Sequence, residues 1–266
     1  MKKQSLIKGT FILGVAGLLA KFLGLFFRWP LQMLIGDEGV GYYQMSFPLY
    51  MFFIAAASGI PVAISKMVSE SNAIHDEEGV ILVLRKAMLL MIILGAGFTA
   101  ILLIFSKPIV HFLKWDNKSY YSLISIAFAP IFISIMSVFR GFFQGLQNMN
   151  YPAVSQIIEQ IGRVVIGVGL AYILLPRGIE YSAGGAALGA AAGGVFGGIY
   201  LVAKYFKIRK EFKVKKVRDN TDVLGKLLYI AIPVSLGAAV SSIMSLIDSA
   251  LVPQKLLEAG LDRKSV

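Results

Sequence analysis

Residues 6–35 read LIKGTFILGVAGLLAKFLGLFFRWPLQMLI. Lys8, Lys21 and Arg28 are the charged positions in this run, and at ~1.5 Å per residue a helix of this length exceeds the ~30 Å hydrocarbon core of a bilayer. The stretch predicts a membrane-crossing helix. Lys2 and Lys3 ahead of it look like the start of a secretory leader. The apolar run, however, continues past Lys21 without a small-residue cleavage site, so it reads as an uncleaved first span.

Six further apolar runs of spanning length follow, at 42–64, 80–105, 121–147, 153–175, 183–203 and 225–252. The chain is 57% hydrophobic, against ~45–50% for a soluble domain, and its mean hydropathy is +0.73. The expected fold class is therefore all-α and integral to the membrane, a polytopic bundle of about seven transmembrane helices. The 266 residues carry a formal charge of +11, which in a soluble protein would suggest a nucleic-acid partner. Its distribution gives another reading. With the N-terminus inside, fifteen of the 26 Lys and Arg fall on cytoplasmic segments, seven on external ones and four within spans. By the positive-inside rule this places the N-terminus in the cytoplasm and the C-terminus outside, with membrane lipid rather than nucleic acid as the partner.

The longest polar segment, 204–222, holds eight of those basic residues and divides the chain. Residues 1–203 read as an N-terminal transmembrane lobe, 204–224 as a basic cytoplasmic loop touching anionic headgroups, and 225–266 as the first helix and external tail of an incomplete C-terminal lobe. Phe27-Arg28-Trp29-Pro30 and Ile247-Asp248 with Pro253 are faintly alike, as expected where a second repeat begins. In the sixth span Gly185, Gly189, Gly193 and Gly197 recur every four residues. They leave one helix face bare for a close neighbour or a sliding surface.

Ionisable residues inside spans cost ~2.5–3.5 kcal/mol each at mid-helix, so they are the candidate functional positions. On the first helix Thr10, Gly14, Gly17, Lys21, Gly24 and Arg28 form one small or cationic stripe at 100° per residue. Lys21 and Arg28, seven residues and about 10 Å apart, suit a phosphate or pyrophosphate approaching the glycine-lined backbone, although Arg28 could instead snorkel to headgroups. On the fifth helix Glu159 and Arg163 are one turn apart and predict an ion pair, either structural or part of a transport path or gate. Asp248 has no partner in its own span and must face water or a cation such as Lys21 or Arg28.

No catalytic residue or cofactor is expected. There is no cysteine for a disulfide, thiolate metal site or nucleophile. His75 and His111 sit in loops without further ligands at metal spacing, and no phosphate-binding loop or serine elbow occurs.

Several ordered motifs carry a family resemblance: Gly36-Asp37-Glu38-Gly39-Val40-Gly41-Tyr42-Tyr43-Gln44, Ser58-Gly59-Ile60-Pro61-Val62-Ala63-Ile64-Ser65-Lys66, Arg140-Gly141-Phe142-Phe143-Gln144-Gly145-Leu146-Gln147-Asn148-Met149, Ser155-Gln156-Ile157-Ile158-Glu159-Gln160 and Ile232-Pro233-Val234-Ser235. Together they resemble the stage V sporulation protein B family, within the superfamily of polysaccharide exporters and lipid-linked oligosaccharide flippases that includes the lipid II flippases. The resemblance implies a two-lobed flippase that moves an undecaprenyl-pyrophosphate-linked sugar across the cytoplasmic membrane for peptidoglycan, spore cortex or polysaccharide synthesis. Lys21 and Arg28 would be its pyrophosphate-binding residues. Two departures stand out. Members of the family are about twice this length, so a missing C-terminal lobe or a homo-dimer partner is implied, and the cation that lipid II flippases place on the second helix has no counterpart within 42–64. The competing readings are a multidrug-type cation antiporter of the same superfamily, which would need acidic groups in its cavity, and a non-transporting scaffold of polysaccharide assembly.

Overall fold

The computed structural model describes residues 5–210, 212 and 222–258, and every regular element among them is helical. In chain order these are α1 (Leu6–Ala57), α2 (Gly59–Ala73), α3 (Glu77–Ile104), α4 (Ser106–Phe112), α5 (Tyr120–Ile126), α6 (Ala129–Gly145), α7 (Asn150–Leu174), α8 (Ile179–Arg209) and α9 (Asp222–Glu258). Short 3-10 turns lie at Asn117–Ser119 and Leu175–Arg177.

Six continuous helical stretches among the described residues are long and apolar enough to cross a membrane. The first runs over Ile7–Ala73, 67 residues, which as a straight rod would be about 100 Å long. It folds back instead. At Gly36 the backbone takes φ 61° and ψ −169°, a left-handed conformation that only glycine adopts cheaply, and no neighbour lies within 4 Å of where a Cβ would sit. Conformation, not space, requires the glycine. Phe27 and Tyr43, ~24 Å apart along a straight helix, therefore meet with ring centroids 5.6 Å apart. Each arm of α1 is long enough to cross by itself, so the six continuous stretches among the described residues provide the seven spanning lengths that hydropathy predicts.

Three boundaries differ from the hydropathy reading. The second crossing extends past residue 64 to Ala73 and is interrupted at Ser58, where Pro61 has no N–H to continue the helical ladder. The fourth breaks between α5 and α6, just ahead of Pro130. The basic segment starts inside a helix, because α8 continues to Arg209, with Lys207 and Arg209 in its last turn, where cations oppose the negative end of the dipole. The remainder of that segment, 211 and 213–221, and the tail 259–266 lie outside the described residues. His111, expected in a loop, stands in the last turn of α4 and is exposed.

The glycine face of α8 is filled by the backbone of α7. A Cβ at Gly193 would sit 2.5 Å from the Glu159 carbonyl oxygen, one at Gly189 2.7 Å from that of Arg163, and one at Gly185 2.9 Å from the Leu170 carbonyl carbon. Tight packing is thus the role of this stripe, and it sets the rotation of α7, with Glu159 Cγ and Arg163 Cβ each 3.3 Å from where a Gly193 Cβ would sit. The Arg140–Met149 motif divides its work in the same way. Gly141 and Gly145 let α6 approach the α2 backbone, Phe142 and Phe143 are fully buried, and Arg140 turns toward α7.

The last helix, α9, docks by its first turns. Leu227 and Ala231 are buried, whereas Leu236, Val240 and Met244 are exposed. At the Ser58 break the Gly59 N–H donates to Ser235 Oγ at 3.1 Å, and further along Ser242 Oγ donates to the Met51 carbonyl at 3.4 Å. Ser241 and Ser245 bond within their own helix, to the carbonyls of Ala238 and Ser241.

Candidate functional site

The fold-back at Gly36 opens a cavity of about 280 Å³ between the arms of α1 and α7. Gly24, Phe27, Arg28 and Leu31 line it from the first arm, Val40, Tyr43, Gln44 and Phe47 from the second, and Gln160 and Arg163 from α7. Its lining includes two arginines and two carboxamides and no carboxylate. Gly24 has open space on its cavity side, so a ligand could reach the backbone beside Arg28.

Arg163 sits in an aromatic box. Its guanidinium lies 5.6 Å from the ring centroid of Phe27, 5.2 Å from that of Phe47 and 5.9 Å from that of Tyr50. Its Nη2 donates to the Tyr43 hydroxyl at 2.7 Å. Each ring face attracts a cation by ~0.5–2 kcal/mol, which offsets part of the cost of taking the guanidinium out of water. None of these direct partners is an anion, and Glu159 acts on the guanidinium through its field without an ion-pair contact.

The expected pair between Glu159 and Arg163 is not what forms. Glu159 Oε2 accepts from Arg140 Nη2 at 2.8 Å, while Arg140 Nε donates to Ser155 Oγ at 2.9 Å. Ser155 is fully buried, and its own hydroxyl donates to the Pro152 carbonyl. The carboxylate has two arginines to choose between, and the packing of α6 against α7 delivers the one that is remote in sequence.

Of the stripe on the first arm, Gly24 and Arg28 enter the cavity wall. Lys21 is exposed on the same helix but is not part of that wall, and Gly17 lies against Gln156 of α7. Asp248 is exposed near the far end of α9 and has no ion-pair partner among the described residues, so it meets neither Lys21 nor Arg28. Sequence reasoning missed the box. The signal was present, since Tyr43, Phe47 and Tyr50 at i, i+4 and i+7 put three aromatic rings on one face of the second arm. That arm has no cation of its own between residues 42 and 64, and Arg163 of α7 supplies one against it. A groove of similar size, about 290 Å³, separates the second arm from α3, but Phe52, Phe53, Ile93, Phe98 and its other lining residues offer no polar side chain to recognise a headgroup.

Residues 6–260 match the sequence profile of the family described as Polysaccharide biosynthesis protein. The chain belongs to that family. Among its relatives, Stage V sporulation protein B of Bacillus subtilis (strain 168) is 35% identical over 269 residues, covering 98% of this chain and 51% of the relative. The Lipid II flippase MurJ of the same organism is 30% identical over 238 residues, covering 85% of this chain and 43% of the relative. This family member thus spans about half the length of the curated relatives it matches. Its fold is that of solved transporters. A multidrug resistance MATE family transporter of the MOP superfamily, in its inward-facing conformation, superposes with a TM-score of 0.70 at 19% identity over 85% of this chain and 52% of that one. A MOP superfamily transporter from Pyrococcus furiosus gives 0.71 at 16% identity over 89% and 53%.

Proposed function

We propose that this chain forms the anion-binding lobe of a flippase that carries a pyrophosphate-linked lipid sugar across the cytoplasmic membrane for peptidoglycan, spore-envelope or polysaccharide synthesis. The observation that carries the reading is the cavity with Arg28 and Arg163 on its walls and no carboxylate among its lining residues. A pyrophosphate presents oxygens to both guanidinium groups, and Gln44 and Gln160 supply neutral donors beside them. The 30% identity to a lipid II flippase over most of the chain supports the same substrate chemistry. An exporter of organic cations would instead need acidic groups where this cavity places arginines.

In this reading the N-terminus is cytoplasmic, residues 1–203 form the first lobe, 204–224 the basic loop between lobes, and 225–266 the first helix and outer tail of the second. Alternating access needs two bundles that rock about a shared site, so transport requires a second bundle from the additional length seen in the relatives or from a second copy. Lys21, exposed about 10 Å along the first arm from Arg28, guides the headgroup toward the cavity.

Titration of the purified chain with undecaprenyl pyrophosphate, undecaprenol and inorganic pyrophosphate tests the site. The lipid pyrophosphate should bind, undecaprenol should not, and Arg28→Gln and Arg163→Gln should each weaken binding. The inorganic arm separates a free anion from a lipid-linked one. Equal affinity for pyrophosphate and alcohol, or indifference to both substitutions, would overturn the reading.

A further inference from the structure

Glu159 stands one helical turn before Arg163, the spacing at which a carboxylate and a guanidinium pair on a helix surface. Such a pair would cancel the cavity's inner cation. Arg140 prevents it. Projecting from α6, this arginine holds the Glu159 carboxylate at 2.8 Å with one nitrogen and anchors itself on the buried Ser155 hydroxyl at 2.9 Å with another. The side chains of both charged partners are largely buried, 20% and 13% exposed, so the carboxylate has little water to turn to if its partner is lost. The direct contacts of the Arg163 guanidinium are meanwhile neutral, three rings and a tyrosine hydroxyl, and Glu159 reaches it only through its field.

From this arrangement we infer that Arg140 is a positioning residue of the anion site: by sequestering Glu159 it keeps Arg163 free to bind an anionic headgroup. The inference rests on the cavity being the pyrophosphate site. Its chemistry is distinct from cross-linking two helices, because the quantity it controls is the net charge facing the cavity. Two arginines and one carboxylate share this region. With Arg140 present, the carboxylate is spent on α6 and the cavity faces a full guanidinium charge. Without Arg140, Glu159 moves to Arg163 and cancels its charge, leaving Arg28 as the cavity's one uncompensated cation among its lining residues.

The contrast is read in the same titration with undecaprenyl pyrophosphate. Arg140→Gln should weaken binding by tenfold or more, since opposite charges ~4 Å apart attract strongly in a partly dehydrated site. Adding Glu159→Gln to it should recover most of the lost affinity, although the ion pair is still absent. A purely structural role for the pair predicts that the double variant is no better than Arg140→Gln alone. Arg163→Gln serves as the reference for the site itself. If Arg163→Gln weakens binding but Arg140→Gln does not, or if the double variant fails to recover, the positioning role is refuted while the anion site stands. If Arg163→Gln and Arg28→Gln are both without effect, the site reading fails first and the positioning role fails with it. Thermal unfolding of each variant identifies any that loses binding through misfolding, and for an unfolded Arg140→Gln the Arg140→Lys variant, which keeps the charge, must bind like the wild type.

Discussion

Replacing Gly189 by alanine places a methyl group where α7 already is. The new Cβ would lie 2.7 Å from the Arg163 carbonyl oxygen, 2.8 Å from Gly167 Cα and 3.1 Å from Gly167 N, all of them backbone atoms that no rotamer change can move. Ordinary contact begins at 3.4 Å, so α7 and α8 must separate locally by about 0.7 Å. Overpacking of this kind costs ~1–3 kcal/mol, against which the alanine regains ~0.5–1 kcal/mol of helix preference. The net loss is up to about 2.5 kcal/mol, centred near ~1 kcal/mol, equivalent to a fall of roughly 2–4 °C at the centre and as much as about 10 °C in the unfolding midpoint for a chain of this size. Gly198 on the same helix provides the control, because its Cβ would meet only Met136 Cβ at 4.0 Å. Gly198→Ala should therefore raise the midpoint by about 1–4 °C through helix preference alone. Thermal unfolding in detergent, followed by the fraction remaining monodisperse, measures both. A Gly189→Ala variant as stable as Gly198→Ala would refute the claim that the α8 stripe is a backbone contact.

Three further outcomes are expected. Ser235→Ala strips the Gly59 N–H of its acceptor at the α2 break and should destabilise the chain by about 1–3 kcal/mol, whereas Ser241→Ala, whose hydroxyl bonds within its own helix, should change little; equal midpoints would count against the docking of α9 through Ser235. Lys21→Ala, introduced at the matching position of a full-length relative, should abolish complementation at unchanged protein level, and normal growth would remove Lys21 from the path. Single cysteines placed in 213–221 should resist a membrane-impermeant reagent added from outside while those in 254–266 react, and the reverse pattern would overturn the orientation drawn from the basic residues.

Much of the architecture was legible because its causes are local. An apolar run of twenty or more residues needs a bilayer wherever it occurs, so each crossing emerged where hydropathy put it, although the helices of the second, sixth and seventh crossings run on beyond the apolar stretch to Ala73, Arg209 and Glu258. The reversal at Gly36 fell between two predicted spans, whereas at Ser58 the nearby Pro61 was visible but its consequence was not, since proline is tolerated inside some membrane helices and breaks others. The end of α8 was misjudged for a related reason. Lys204, Lys207 and Arg209 signal the end of a hydrophobic span, but charged residues continue a helix readily once it has left the hydrocarbon.

For the site, the sequence alone determined which charges lie in spans, that the first helix bears a small and cationic face, and that the glycines of α8 would admit a close neighbour. Tertiary structure alone decided who meets whom. Glu159 can reach Arg163 on its own helix or Arg140 on another, and the choice follows from the rotation of α7, which the α8 glycines lock, and from the face that α6 presents. Phe27, Phe47 and Tyr50 become a box for Arg163 because the chain reverses at Gly36 and brings two arms together around α7. Helical periodicity fixes the direction of a side chain relative to its own axis, but a partner requires a second axis, and the distance and angle between axes are set by long-range packing that no local pattern encodes.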